Sequence, residues 1–232
     1  MKFKNKLIAS KFQKRYKRFF ADVKRDGKTL ISHCANSGSM LGLLAKNNKS
    51  WISLSDNPNR KLKYTLEIIN DGKSLVGVNT HSANQIVENA INDKKIKEII
   101  KYSEYKREIK FGLNSRFDFL LTNKNQKAFL EVKSVTLSRE TGIAEFPDAV
   151  TSRGLKHLEE LETARKKGYE SYLIYLVQRE DCNQFKIAKD IDIKYYEAFL
   201  KAQKNGVKFI SYSCNVNEKE ININKSIKIL LN

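Results

Sequence analysis

The sequence predicts a two-domain α+β protein, a small N-terminal β-barrel followed by an α/β domain, and three observations carry that prediction. Residues 1–80 hold short extended segments separated by polar turns. From about residue 81 apolar residues recur at helical spacing. Beyond that point helix-like and strand-like segments follow in the order helix, three strands, helix, strand, which is an α/β layer arrangement.

In the first region the extended segments are Tyr16–Val23, Thr29–Cys34, Trp51–Ser55, Lys63–Ile69 and Leu75–Val78. Asp26-Gly27, Asn36-Ser37-Gly38, Lys46–Lys49, Asn57-Pro58-Asn59 and Asp71-Gly72 break them. Five short strands in about 80 residues suggest an OB-like barrel, the common nucleic-acid-binding solution of that size. The second region opens with a helix over Ser82–Ile100, on which Ile86, Val87, Ala90, Ile91, Ile96, Ile99 and Ile100 mark one face. Strands follow at Tyr105–Phe111, Arg116–Thr122 and Ala128–Val135, joined by turns at Gly112-Leu113-Asn114 and Asn123-Lys124-Asn125. Thr151 reads as the N-cap of a helix reaching Lys167, with Gly168 as its stop. A buried strand at Tyr172–Gln178, a helix near Lys194–Lys204 capped by Asn205-Gly206, and a strand at Val207–Cys214 complete the expected order.

Composition excludes several classes. With 41% hydrophobic and 10% aromatic residues the chain is globular, and no apolar stretch approaches the length of a membrane span. Met1–Ile8 lacks the apolar core of a secretory signal. Cys34, Cys182 and Cys214 are too few and too widely spaced for a disulfide framework or a zinc site, so reduced thiols in the cytoplasm are expected. The net charge of +18 points to a polyanion, and it is uneven. Residues 1–80 carry 17 basic and 5 acidic side chains, two thirds of the excess in one third of the chain. An AT-rich genome would spread lysine evenly and would not favour arginine. Here Arg15, Arg18 and Arg25 cluster with Lys11, Lys14, Lys17 and Lys24, the footprint of a nucleic-acid partner and not of a membrane.

The chemistry concentrates on two central strands. In Ala128–Lys133 alternation puts Glu131 and Lys133 on one face and Leu130 and Val132 in the core. Asp118 stands among Phe117, Phe119, Leu120 and Leu121, where an ionised carboxylate needs a partner. Hairpin pairing would bring Asp118 beside Glu131, and two adjacent carboxylates repel unless a cation such as Mg²⁺ or Mn²⁺ bridges them. Such an ion would activate water and neutralise charge developing on a phosphodiester. Lys133 would orient the water and hold a phosphate oxygen, and Glu108 could add a third carboxylate. Among aromatics flanked by basic residues, Tyr16, Phe19, Phe20, Trp51 and Tyr64 are candidates to stack on bases, although most aromatics in small barrels are core. Arg153 and His157 lie four apart on the helix after the site.

Longer motifs make the sequence familiar. Arg15–Val23, His33–Met40, Asn59–Glu67 and Val76–Thr80 stand in the first region. Ser115–Leu121, Glu131–Leu137, Phe146–Thr151 and Arg153–Leu158 follow in the second. In these the chain resembles the sugar fermentation stimulation protein A (SfsA) family along almost its whole length. The resemblance implies an OB-like domain over residues 1–80 and a domain over 81–232 similar to PD-(D/E)xK nucleases, whose motif falls on Asp118, Glu131 and Lys133. It also implies binding to DNA, expected to be double-stranded, with little sequence preference, and a supposed role in regulating sugar-utilisation genes. Ala35 and Ser37 depart from the family's usual proline and threonine in a turn, without touching charge. The expected DNA contacts are Arg15, Lys17, Arg18, Arg60, Lys61, Lys63, Arg116, Arg153 and Lys156. Two functions follow as expectations: a DNA-binding protein of the cytoplasm and nucleoid, as monomer or dimer, or a Mg²⁺-dependent DNA nuclease.

Overall fold

The computed structural model describes residues 1–112 and 115–231. Its first strand lies earlier than the aromatic residues suggest. β1 (Ile8–Tyr16) leads through a tight hairpin into β2 (Phe20–Arg25) and β3 (Lys28–His33), all antiparallel. The expected strand over Tyr16–Val23 is therefore corrected. Its middle is the turn, where Lys17 and Arg18 both take positive φ, 46° and 62°. Tyr16, Phe19 and Phe20 give that stretch the composition of a strand, while β1 buries only Ser10 and Phe12 on its inner side and shows little apolar signal. Asp26 (φ 48°) and Gly27 (φ 76°) make the next hairpin turn, whose two positive φ values match the twist of the flanking strands.

β4 (Lys49–Leu54) pairs with β1 and with β5 (Tyr64–Asn70), and β5 returns to β3 in parallel at Ser32↔Tyr64 and His33↔Thr65. The ring β1-β2-β3-β5-β4 is a closed five-stranded OB barrel around Phe12, Val23, Ile52, Leu66 and Ile69. The fifth expected strand is not part of that ring. β6 (Leu75–Gly77) hangs on β5 and reaches the second domain, where the Gly77 N–H donates to the Gln178 carbonyl at 2.9 Å.

α1 (Ser82–Asn92) buries Ala83, Ile86, Val87 and Ala90, as the periodicity predicts, but ends eight residues before Ile100. Lys94 takes φ 54° and stops the helix, and a single 3₁₀ turn at Lys97–Ile99, flanked by Ile96 and Ile100, follows. β7 (Glu104–Phe111), β8 (Ser115–Thr122) and β9 (Lys127–Val135) follow as antiparallel neighbours. Of the expected turn at Gly112-Leu113-Asn114, Leu113 and Asn114 lie outside the described residues. β10 (Leu137–Glu140) and β11 (Ile143–Phe146) precede α2 (Ser152–Lys166), whose Thr151 cap accepts the Gly154 N–H at 3.0 Å. β12 (Glu170–Val177), β13 (Gln184–Ile187), α3 (Ile193–Lys204), β14 (Lys208–Val216), β15 (Ile221–Ser226) and β16 (Lys228–Leu230) complete the fold. The sequence pattern missed β10, β11, β13, β15 and β16, four of which have only three or four residues and none a continuous apolar run.

The main sheet has the order β15-β14-β12-β9-β8-β7, with β9, β12 and β14 parallel. A four-stranded sheet, β10-β11-β13-β16, stands beside it. Helices α2 and α3 cover one face of the main sheet with Leu158, Leu161 and Phe199. The other face packs Leu130, Val132 and Ile174 against Ile86 and Val87 of α1, and the same core takes in Leu7, Trp51 and Ile68 of the barrel. Barrel and sheet thus share this core, while the barrel interior keeps its own. All three cysteines are free and buried. Among the described residues no helix is long and apolar enough to cross a membrane.

Candidate functional site

The last described hydrogen-bonded pair of β8 and β9 on this side is Phe119↔Leu130. One register step further stand Asp118 and Glu131, where the two strands separate. There the Asp118 carboxylate takes the place of a strand carbonyl: its Oδ2 accepts the Val132 N–H at 2.7 Å. Its Oδ1 accepts from the Asn84 side chain of α1, also at 2.7 Å. Glu131 is held from the opposite layer. Its Oε1 accepts from the Lys133 ammonium at 2.7 Å and contacts Nδ1 of His157 on α2. Lys133 Nζ lies 3.0 Å from the same ring nitrogen. A carboxylate can only accept, so we assign the proton to Nδ1, with Lys133 as its neighbour and not its donor. The second oxygen of Glu131 is buried and has no hydrogen-bond partner.

Electrostatics separate the two acids. Burial, then the adjacent Glu131 charge, push Asp118 up to about 7, against the bonds from Val132 and Asn84 and the charge of Lys133. Burial also acts to raise Glu131, but Lys133 and His157 outweigh it and bring that carboxyl down to about 2. One acid is firmly ionised and the other titrates near neutrality, the division expected of a site that handles protons or cations.

Above the pair lies a cleft of about 260 Å³ between the two domains, lined by Asn36, Gly38, Asn84, Lys133, Asp148 and Arg153. The barrel loop forms its roof and is latched to the second domain. Asp148 Oδ2 accepts the Met40 N–H at 2.8 Å, and the Ser39 hydroxyl donates to the Asp148 carbonyl. A Cβ at position 38 would lie 2.3 Å from the Asp148 carboxylate, so only glycine allows this approach. Arg15 braces the loop by donating to the carbonyls of Arg18, Asn36 and Gly38 at 2.6 to 2.8 Å.

Two family models divide the chain. The "SfsA N-terminal OB domain" matches residues 14–78, and the "Sugar fermentation stimulation protein RE domain" matches residues 81–220. The chain belongs to the sugar fermentation stimulation protein family. A homolog of that name from Pelagibacter ubique is 54% identical over 230 residues, 99% of each chain. One from Brucella anthropi is 42% identical over 231 residues, covering 99% of this chain and all of the other. The fold is similar to that of Pyrococcus furiosus SfsA (TM-score 0.91, 22% identity, covering 100% of this chain and 98% of that one), a structure described as a complex with Ca²⁺.

In this family member the expected residues do not all converge. Asp118, Glu131 and Lys133 come together, and Arg153 joins them at the cleft. Glu108 is exposed at φ 52°; it faces Asp118 in register, but its charge is not among those that set Asp118's titration. Lys17 and Arg18 stand exposed on the β1–β2 turn, and Lys61 and Lys63 on the loop before β5. Arg60 reaches Nδ1 of His33 at 3.2 Å. Arg116 is exposed on β8, and Lys156 is exposed on α2 with Glu160 at 3.8 Å. Arg15 serves the loop instead of an open surface. Sequence reasoning named His157 without a definite role and missed Asn84 and Asp148. Asn84 flanks the apolar face of α1 and carried no motif; Asp148 lay inside Phe146–Thr151 with nothing to say what it would touch.

Proposed function

We propose that this protein binds DNA through the loops of its barrel and the rim of the interdomain cleft, with little sequence preference. The observation that carries this reading is the placement of its exposed cations. Lys17 and Arg18 project from the β1–β2 turn and Lys61 and Lys63 from the β4–β5 loop, the two loops with which OB barrels hold oligonucleotides. Arg153 and Lys156 continue the band on α2. Lysines and arginines on loops can follow a phosphate backbone without reading base edges, which favours affinity over sequence discrimination. Occupancy of DNA near sugar-utilisation genes is one route by which such a protein would come to affect fermentation. Neutralising about six phosphates predicts a slope near −5 in log K against log salt concentration. Filter binding or anisotropy titrations between 50 and 200 mM salt check it, and a flat response would remove this reading.

A second reading, metal-dependent phosphodiester cleavage, is favoured by the partnerless oxygen of Glu131. A buried carboxylate oxygen without a donor suits a cation, and Mg²⁺ is commonly bound by one or two carboxylates with water and substrate phosphate supplying the rest. Among the described residues no cluster of three or more His, Cys, Asp or Glu is set to hold a metal, so Asp118 and Glu131 would be the protein ligands. The structure of the Pyrococcus furiosus protein, described as a complex with Ca²⁺, is in keeping with a cation-binding reading. When bound, Mg²⁺ or Mn²⁺ supplies Lewis acidity that activates water and offsets phosphate charge. The chain does the positioning. Lys133, beside Glu131 and lining the cleft, holds a phosphate oxygen and orients the attacking water. His157 fixes the Glu131 side chain from below, and Asn84 fixes Asp118. Cleavage of duplex, single-stranded or branched DNA is expected to stop in chelator and to fall about a hundredfold in Glu131→Gln and in Lys133→Ala, while both variants still bind DNA. If wild type leaves all three DNA forms intact in Mg²⁺ and Mn²⁺, cleavage is wrong and binding alone remains.

A further inference from the structure

Of the five aromatic candidates for stacking on bases, Phe19 is the one that the fold leaves exposed. Trp51 is buried, Tyr64 is half-buried, and Tyr16 and Phe20 stack on each other at 5.5 Å. Phe19 is left with 43% of its surface exposed, on the turn formed by Lys17 and Arg18. Its backbone is fixed: the Phe19 N–H donates to the Lys17 carbonyl at 2.7 Å, and its carbonyl accepts the Cys34 N–H at 2.9 Å. The ring is therefore presented from an ordered turn.

Two further rings continue from it. Phe19 and His33 lie 6.4 Å apart between centroids, tilted by 30°, and His33 and His81 lie 6.4 Å apart at 47°. Arg60 approaches His33 Nδ1 at 3.2 Å, which leaves that nitrogen as acceptor and the proton on Nε2. Burial, Arg60 and His81 lower the pKa of His33, so its ring is neutral at physiological pH and stacks without giving up hydration of a charge. These rings belong to the β1–β2 turn, the end of β3 and the start of α1, with Arg60 from the β4–β5 loop. His81 precedes by one helical turn, roughly 5 Å along the axis, the Asn84 that holds Asp118. The row of rings thus runs from the β1–β2 turn to the start of α1, the helix whose Asn84 holds Asp118.

A protein partner would ask for a broader apolar patch, whereas a lone ring row flanked by Lys17, Arg18, Arg60 and Lys61 suits groups with both a flat π-face and a phosphate. Bases of an intact duplex keep their faces covered. We propose that Phe19, His33 and His81 form a stacking subsite for an unpaired nucleobase, so that the preferred DNA is single-stranded or carries a single-stranded branch entering the cleft lined by Asn84, Lys133 and Arg153. This rests on the DNA-binding reading above and names the form of DNA that it left open.

The test uses the full chain in chelator at about 200 mM salt, with three probes: a thymidine oligonucleotide, the same strand with abasic residues, and a blunt duplex of the same length. The intact strand is expected to bind roughly 5- to 100-fold tighter than the abasic strand, which has the same phosphates but no base to stack. It is also expected to bind tighter than the duplex. Phe19→Ala collapses the ratio between intact and abasic strands, whereas Lys61→Ala weakens both strands together and keeps the ratio. Should Phe19→Ala lose its melting transition, His81→Ala, at an exposed position, decides the same ratio. A wild-type ratio near one, a duplex bound more tightly than the intact strand, or a ratio that survives both ring variants, overturns the subsite while DNA binding stands. Failure to bind any of the three probes at 50 mM salt overturns the DNA-binding reading with it.

Discussion

Arg179→Ala is expected to lower the unfolding free energy by about 3 to 5 kcal/mol, measured as a shift of the urea midpoint at unchanged slope. The Arg179 side chain is 2% exposed and touches three parts of the molecule. It donates to both oxygens of Asp181 at 2.6 and 2.7 Å, to Asp71 of the barrel at 2.9 Å, and to the Thr136 carbonyl at 3.1 Å. Alanine would leave the nearly buried Asp71 carboxylate without its cation and open a cavity at the domain junction. The cost is that of an uncompensated charge and not the net worth of the pair. A double variant, Arg179→Met with Asp71→Asn, is accordingly expected to recover most of the loss. A loss below about 1 kcal/mol in Arg179→Ala, or a double variant worse than the sum of its parts, would contradict this account.

The second large effect is a pH dependence centred on Asp118. Its carboxyl titrates at about 7 in the folded chain against an ordinary value of 3.8. Between those values the folded state binds the extra proton, so stability falls as pH rises from about 4 to about 7 and is flat above. At roughly 1.4 kcal/mol per unit the loss is about 4 kcal/mol. Glu131 titrates at about 2, below this window; its contribution is present above its ordinary value of 4.5 and fades as pH falls toward 2. Buried Glu67 shifts upward and adds to the slope, while His33 shifts downward and opposes it. The measurement is therefore a difference: thermal or urea unfolding in chelator from pH 4.5 to 8 for wild type and Asp118→Asn. The variant is expected to gain on wild type as pH rises, and to be the more stable protein at pH 8. Parallel curves would show that Asp118 is not the group responsible. A site that is costly when ionised and empty is one that proton or cation relieves, so Mg²⁺ is expected to stabilise wild type more at pH 8 than at pH 5.5.

How far the sequence reaches depends on whether a signal is local. The caps of α2, the C-terminal cap of α3 and the polar turns at Asp26-Gly27 and Asn123–Asn125 were legible because each is set within a few residues. The hairpin at Lys17 and Arg18 was not, since two basic residues at positive φ carry no turn signature and the neighbouring aromatics imitate a strand. Strand alternation put Glu131 and Lys133 on one face, and there they stand. The same reasoning could not supply His157, Asn84 or Asp148, which meet the site only because α2, α1 and the loop after β11 converge on it from three directions.

The sequence by itself determined that a basic barrel is joined to an α/β domain, and that Asp118, Glu131 and Lys133 belong together on adjacent strands. Composition, alternation and linear motifs suffice for that. Only the tertiary structure decided what those residues face. β8 and β9 part at Asp118, so its carboxylate replaces a backbone partner, and burial against α1 raises its pKa while the contacts from α2 and Lys133 lower that of Glu131. Burial and long-range contact are properties of the packed layers. No run of residues contains them, and they are what turn two ordinary carboxylates into an unequal pair.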